Sequence, residues 1–196
     1  GDMAPQAFFY DFLIAGGVSI LPGQSNQAVI DLKPGNWIAW GGSPDATQKP
    51  IAFTVTGEMP TDLAAPESNA TITLSDFAID VTAGKLQVGH NIVKLENTSA
   101  QPHFLDLQKG PDGMTKEQVK GALDAEMTGT PVADGLNPET DFMPIVSTTT
   151  QSAGTSMWIA FDLEPGTYGA FCFFPDKDTG MPHAYMGMYN IFTIDK

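Results

Sequence analysis

Apolar and polar residues alternate with a period of two along much of the chain, which is the pattern of β-strands. In MWIAFDL (157–163) every second residue is apolar, so four apolar side chains share one face. In HFLDL (103–107) His103 lies on the same face as two leucines. Pro-Gly pairs at 34–35 and 165–166 supply turns. Many short strands with regular turns predict an all-β sandwich or barrel.

The alternation breaks once, and one segment has a different period. In ATITLSDFAIDV (70–81) the apolar residues change parity at Ser75–Asp76, which predicts a bulge or a break between two strands. Thr115 and Gln118 have the spacing of a capping box. Apolar residues recur after them at helical spacing: Val119, Leu123 and Met127. We therefore predict one helix, at about 115–125, inserted between strands.

The sequence also repeats itself. Residues 27–45 align without gaps with residues 158–176 when DLKPG is placed on DLEPG, and IAFTVT (51–56) resembles NIFTID (190–195). We interpret this as a structural half-repeat of the C-terminal strands.

The repeat suggests how the chain is divided. We assign residues 1–57 to a degenerate half-repeat, 58–70 to a linker rich in proline and acidic residues, and 71–196 to the main domain. Gly41 stands in the first copy where Cys172 stands in the second. The half-repeat is therefore expected to have no metal site of its own.

Composition narrows the possible functions. The chain carries 23 acidic residues against 9 basic ones, for a net charge of −14, and every basic residue is lysine. An acidic chain without arginine is poorly suited to nucleic acid, so cationic partners or metal ions are favoured. The acidity could equally serve only to keep an exported protein in solution. No apolar stretch approaches the length of a membrane span, and no nucleophile elbow or phosphate-binding loop occurs, so we expect no enzyme.

The only cysteine, Cys172, cannot form an internal disulfide, and soft ligand types follow it within sixteen residues. These are one histidine and three methionines: His183, Met181, Met186 and Met188. Two histidines and a cysteine in one plane, with a distant methionine, are the ligands of an electron-transfer copper site. His103, at the start of its strand, could supply the remote histidine. Taken singly, each of these residues is more often part of a core than a ligand.

Two stretches carry a resemblance to a known family: VTAGKLQVGHNIVKLENTSAQPHFLDL and LEPGTYGAFCFFPD…GMPHAYMGM…FTI. With them, the region from Thr71 to Lys196 resembles a cupredoxin. The resemblance implies a Greek-key β-sandwich, here with one short inserted helix and extra N-terminal strands. It also implies one copper ion bound by His103, Cys172, His183 and Met188. Periplasmic or secreted location is a further implication of the resemblance.

One departure from the family pattern is the spacing between cysteine and second histidine. Ten residues separate Cys172 from His183, where small blue-copper proteins have only a few. The insertion could form its own turn and leave both ligands in place, or it could open the site. Met186 and Met181 are rivals of Met188 for the fourth position. We expect the third histidine, His90, to lie at the surface.

Three functions fit this sequence. The first is electron transfer through copper, with His183 as the edge by which electrons leave, MPHAYMG (181–187) as the contact patch, and a redox protein with a cationic surface as partner. The second is a copper carrier or buffer that handles Cu(I). The third is a metal-free cupredoxin-like binding module. Separately, Asn69 and Asn97 each open an N-x-S/T triplet that matches a glycosylation acceptor.

Overall fold

A computed structural model describes most of the 196 residues of the protein. The described ranges are 6–20, 25–41, 49–60, 62–130, 135–138 and 140–196. The second half of the repeated stretch 27–45 lies partly outside them.

Strands dominate the described residues. The strands are β1 (Val18–Ser19), β2 (Ala28–Ile30), β3 (Gly35–Ala39), β4 (Ile51–Val55), β5 (Ala70–Ser75), β6 (Ala78–Gly84), β7 (Gly89–Asn97), β8 (Asp106–Gly110), β9 (Met143–Thr148), β10 (Ser156–Leu163), β11 (Gly166–Phe171) and β12 (Tyr189–Ile194). The helices are α1 (Gln6–Asp11), α2 (Lys116–Thr128) and a 3-10 turn (His183–Met186). None of them is long and apolar enough to cross a membrane, as far as the described residues go.

The larger of two compact units, residues up to Ile30 together with Pro66–Lys196, is a β-sandwich. One sheet has the strand order β1-β9-β8-β11-β12 and the other has the order β2-β10-β7-β5-β6. Connections β7–β8, β9–β10 and β10–β11 pass from one sheet to the other, as in a Greek key. The prediction of an all-β sandwich with an inserted helix is confirmed.

The core lies between the two sheets and follows the alternation of the sequence. In β10 the side chains of Met157, Ile159, Phe161 and Leu163 are buried, while those between them are not. Asp162 on the opposite face is exposed. The period of two thus selects the inward face of each strand.

The smaller unit, Asp31–Ala65, contains the hairpin β3–β4. Its pairing repeats that of β11–β12, because Gly35 pairs with Val55 as Gly166 pairs with Ile194. Both glycines have a positive φ, 154° and 151°, which favours glycine at the turn.

Side-chain hydrogen bonds repeat as well. The Trp37 indole donates to the Lys33 carbonyl at 2.9 Å, and the Tyr168 hydroxyl donates to the Glu164 carbonyl at 2.7 Å. The two copies therefore share strand pairing and turn chemistry. The domain limits at residues 57 and 70 stay predictions.

The inserted helix begins as predicted. Gln118 N–H donates to the Thr115 hydroxyl, and the Gln118 side chain accepts from the Thr115 N–H, which completes the capping box. The helix ends at Thr128, three residues beyond the predicted end, and Gly129 caps it. Helix α1 was not predicted from the sequence.

The predicted break at Ser75–Asp76 is the turn between β5 and β6. Phe77 in this turn has a φ of 57°, and it is the only non-glycine residue with positive φ in the described part of the chain. A left-handed conformation costs a non-glycine residue about 1–2 kcal/mol. A compensating contact of Phe77 is therefore expected, and it is found at the site described below.

Leu95 offers a test of the core, because it lies fully buried in β7 opposite Met157 and Ile72. Leu95→Ala should lower the free energy of unfolding by about 2–5 kcal/mol, since it leaves a cavity between the sheets. Val29→Ala, exposed on the outward face of the same sheet opposite Trp158, should change it by no more than about 0.5 kcal/mol. Urea unfolding of both variants measures this, and equal losses would contradict the assignment of the two faces.

Candidate metal centre

Cys172 directly follows β11 and is fully buried. Its backbone N–H donates to the Met188 carbonyl at 3.2 Å, which extends the pairing of β11 with β12 by one residue. The position of the sulfur is therefore set by the sheet.

His103 reaches the same place through a loop held by Asn97. The buried Asn97 side chain accepts from Ser99 N–H and Oγ, at 3.1 and 2.9 Å, and donates to the Gln101 and Gln151 carbonyls, at 2.8 and 3.0 Å. These bonds fold the residues between β7 and His103 into a compact turn. Because the Asn97 amide is buried and fully used, the glycosylation match at this residue has no structural support.

Backbone bonds then fix His103 relative to Cys172. His103 N–H donates to the Gln151 carbonyl at 3.0 Å, and Gln151 N–H donates back at 2.7 Å. The neighbouring Phe104 N–H donates to the Cys172 sulfur at 3.5 Å. Hydrogen bonds from backbone N–H groups therefore hold His103 beside the Cys172 sulfur.

The ten-residue insertion between cysteine and second histidine folds back on itself. Pro175 and Pro182 form an antiparallel bridge, Asp176 N–H donates to the Met181 carbonyl at 2.8 Å, and His183 N–H donates to the Phe174 carbonyl at 2.9 Å. The insertion is therefore a small hairpin whose ends lie side by side. Of the two outcomes expected from the sequence, the structure shows the one in which the insertion forms its own turn and keeps the two candidate ligands, Cys172 and His183, close together.

Asp176 closes the tip of this hairpin. Its Oδ1 accepts from the Thr179 hydroxyl at 2.7 Å, the Thr179 N–H at 2.9 Å and the Asp178 N–H at 3.2 Å. Hydrogen bonds from the Thr179 side chain and backbone lower the pKa of Asp176 to about 2. The turn is therefore held by an ionised carboxylate throughout the neutral range.

Helix α1 packs against the same hairpin. The rings of Phe9 and Phe174 meet edge to face at 5.2 Å, and the Lys177 ammonium lies 5.1 Å from the Tyr10 ring. The Tyr10 hydroxyl donates to Gln101 Oε1 at 3.2 Å. These contacts connect the hairpin with the loop that precedes His103.

Three donor atoms meet where these segments converge. The Cys172 sulfur lies 3.7 Å from His103 Nδ1 and 3.9 Å from His183 Nδ1, and the two nitrogens are 3.0 Å apart. All three residues are buried. The sequence prediction thus named three residues that the fold brings together.

The size of this triangle fits a first-row transition metal. A point in its plane lies about 2.1 Å from all three donors, close to the bond lengths of about 2.0–2.3 Å that nitrogen and sulfur make to zinc. Thiolate sulfur and imidazole suit copper. The donor set therefore fits copper, the ion that the resemblance implies.

The metal-free donors are neutral. Burial, and then the proximity of His183, lowers the pKa of His103 to about 3, and burial also lowers the pKa of His183. Burial raises the pKa of the Cys172 thiol to about 11 despite hydrogen bonds from the Phe104 and Phe174 backbone. Both imidazoles are thus ready to bind a cation, whereas the thiol must release a proton first.

The three candidate methionines differ in burial. Met188 is fully buried in the same core cluster as Cys172, and its N–H donates to the His183 carbonyl at 2.9 Å. Met181 and Met186 are 38% and 37% exposed. These positions favour Met188 as a fourth donor, and its ligation stays a prediction.

His183 does not reach the surface. It is fully buried, with the Phe77 ring edge to face at 5.2 Å and the Phe174 ring at 5.9 Å. The role of His183 as the edge by which electrons leave stays a prediction, and Phe77 packs on this side chain. This contact is the compensation expected for the left-handed conformation of Phe77.

The remaining histidine lies at the surface as predicted, since His90 pairs with Asp162 at 3.1 Å and both side chains are largely exposed. Sequence reasoning missed Phe77 and the role of Asn97. The phenylalanine in a two-residue turn was a usable signal for Phe77, since glycine or asparagine is usual there. No local signal distinguished Asn97 from a surface asparagine.

The chain is similar to solved auracyanins. A reduced auracyanin from Roseiflexus castenholzii is 24% identical, with 64% of this chain and 95% of that chain covered and a TM-score of 0.42. Auracyanin B is 21% identical over 69% and 96%, with a TM-score of 0.39. Auracyanin A from Chloroflexus aurantiacus, called a "blue" copper protein, is 18% identical over 64% and 99%, with a TM-score of 0.37. No family model and no curated protein matches the chain.

The thiol predicts how metal binding depends on pH. Below a pKa of about 11 the Cys172 thiol is protonated, so binding displaces one proton and the apparent copper affinity should rise about 100-fold from pH 7 to pH 9. The two imidazoles are already neutral between pH 7 and pH 9, so they add nothing to the change of copper affinity with pH. Competition with a chelator of known pH dependence measures this.

The matched control is Cys172→Ser, whose affinity should be nearly independent of pH over this range. A wild-type affinity that does not change with pH would show that no thiol proton is displaced.

Proposed function

We propose that this protein binds one copper ion through His103, Cys172 and His183, with Met188 as a weaker fourth ligand, and that it transfers electrons. The observation that supports this most directly is the buried triangle of one thiol and two imidazole nitrogens. Two histidines and one cysteine, with a methionine at a distance, are the donors that electron-transfer copper sites use.

Bound copper would supply a one-electron couple between Cu(I) and Cu(II). The chain contributes a donor set that the fold holds before the metal arrives. Cys172 is fixed by the sheet, His103 by Asn97 and the Gln151 backbone, and His183 by its bond to Phe174. Such rigidity keeps the change in geometry between oxidation states small, which favours fast electron transfer.

Electrons would leave past the aromatic cover of His183. Phe77 packs on that ligand, and the partly exposed Met181 and Met186 lie on the same loop as His183. The net charge of −14 favours a redox partner with a cationic surface, whose association should slow as salt screens the attraction. A periplasmic or secreted location completes the proposal, as the family resemblance implies.

Copper storage or delivery is the second candidate. Met181 and Met186 place two accessible thioethers within five residues of His183, and soft thioethers select Cu(I). A carrier should release Cu(I) readily to a competing chelator, whereas an electron carrier should retain both oxidation states.

Titration of the metal-free protein with Cu(II) tests the site. An intense visible thiolate-to-copper band should saturate at one equivalent, and Cys172→Ser should abolish it because no thiolate remains. His103→Ala should weaken the band. Zinc added first should compete for the same donors without producing colour.

A band that survives in Cys172→Ser would show that the thiolate is not a ligand. Copper binding without the band would favour handling through histidine and methionine, and no binding would favour the metal-free binding module.

The methionines separate the two copper functions. Met188→Leu should change the reduction potential and the paramagnetic-resonance spectrum, because the axial ligand tunes both. Met181→Leu and Met186→Leu are the matched controls on the same loop, and they should leave both measurements unchanged. If the double variant of Met181 and Met186 instead lowers Cu(I) affinity at least tenfold, copper handling is the better assignment.

A further inference from the structure

Three buried polar groups beside the metal centre have no hydrogen-bond partner among the described residues: Nε2 of His183, Nε2 of His103 and the side-chain amide of Gln151, both its oxygen and its nitrogen. His103 is 1% exposed and Gln151 is 0% exposed. Buried polar side chains almost always have a partner, so these groups require an explanation.

Two of these side chains lie next to each other in the fold. His103 and Gln151 are the partners of an antiparallel bridge, and each backbone N–H donates to the other's carbonyl. Residues directly opposite each other in such a pair project from the same face, with their Cβ atoms about 5 Å apart. The Gln151 amide therefore emerges on the face from which His103 reaches the metal centre.

A neighbouring glycine leaves room for the Gln151 side chain. A Cβ atom on Gly16 would lie 2.9 Å from Gln151 Cγ and 2.9 Å from the sulfur of Met157. The amide thus occupies space that any larger residue at Gly16 would fill.

The amide has no evident role in holding the fold. The Gln151 backbone forms hydrogen bonds with the His103 backbone and with the Asn97 side chain. The Gln151 side chain, in contrast, bonds to none of the described residues. An unpaired buried amide destabilises a protein relative to an apolar side chain of the same size. Its partner is therefore expected in another state of the protein.

Metal binding creates that state. When Nδ1 of a neutral imidazole binds a cation, the ring proton is on Nε2, which becomes a hydrogen-bond donor. Metal-bound histidines almost always donate this proton to an acceptor, which fixes the tautomer and the ring orientation. Among the described residues, Gln151 Oε1 is an unused acceptor on the same face.

We propose that Gln151 is the positioning residue of the metal centre, and that its side-chain oxygen accepts a hydrogen bond from His103 Nε2 when copper is bound to Nδ1. This inference rests on the proposed function. Gln151 does not touch the metal; it acts by holding the His103 ring in the binding tautomer.

The test compares Gln151→Met with wild type, because methionine keeps the volume and removes the amide. Cu(I) affinity should fall about 10–100-fold, the usual effect of losing such a partner. The urea midpoint of the metal-free variant should equal or exceed that of wild type, because an unpaired amide has been removed. Gln108→Met is the control, since its amide bonds to Asp106 in the same sandwich and it should leave Cu(I) affinity unchanged.

A second measurement follows the proton itself. In the Cu(I)-loaded wild type, which is diamagnetic, nuclear magnetic resonance should show a slowly exchanging His103 Nε2–H signal, and this protection should be lost in Gln151→Met.

The outcomes are distinct. A lowered urea midpoint of metal-free Gln151→Met with unchanged Cu(I) affinity would show a structural role and overturn the proposal. Wild-type copper binding with an unaffected Nε2–H in the variant would overturn it too, while leaving the proposed function intact. A wild type that binds no copper would overturn both.

Discussion

The metal centre depends on one hydrogen bond, from the His183 N–H to the Phe174 carbonyl. Ten residues separate Cys172 from His183, and a loop of that length could place the histidine far from the sulfur. This bond and the Pro175–Pro182 bridge close the loop into a hairpin, so the two candidate ligands lie close together, with the Cys172 sulfur 3.9 Å from His183 Nδ1. The Asp176 turn stabilises the tip with a carboxylate that is ionised at neutral pH.

Burial connects the chemistry of the donors with the architecture around them. The sandwich core surrounds the triangle and keeps both imidazoles neutral, while it keeps the thiol protonated until a metal replaces the proton. The same burial places Phe77 over His183, and it leaves polar atoms of His103, His183 and Gln151 without a hydrogen-bond partner in the described part of the chain. The three candidate donors are thus held together in a buried site before any metal binds.

Much of the fold and most of the candidate site could be predicted from the sequence. The alternation in β10, the turn at Ser75–Asp76 and the capping box of α2 are local patterns, and the structure contains each of them. The half-repeat is also real at the level of strand pairing, because turn chemistry is encoded within a few residues. Helix α1 was missed because it is short and is stabilised by contacts with a distant hairpin.

The sequence alone determined which donors exist, since one cysteine, three histidines and a few methionines leave few combinations that suit a metal. It also determined that His103 faces the core, because side chains alternate along a strand. Only the tertiary structure decided that His183 is covered by Phe77, that the insertion closes, and that Gln151 lies opposite His103. These contacts join segments far apart in the chain, and their geometry is set by strand register and packing, which no local pattern of residues encodes.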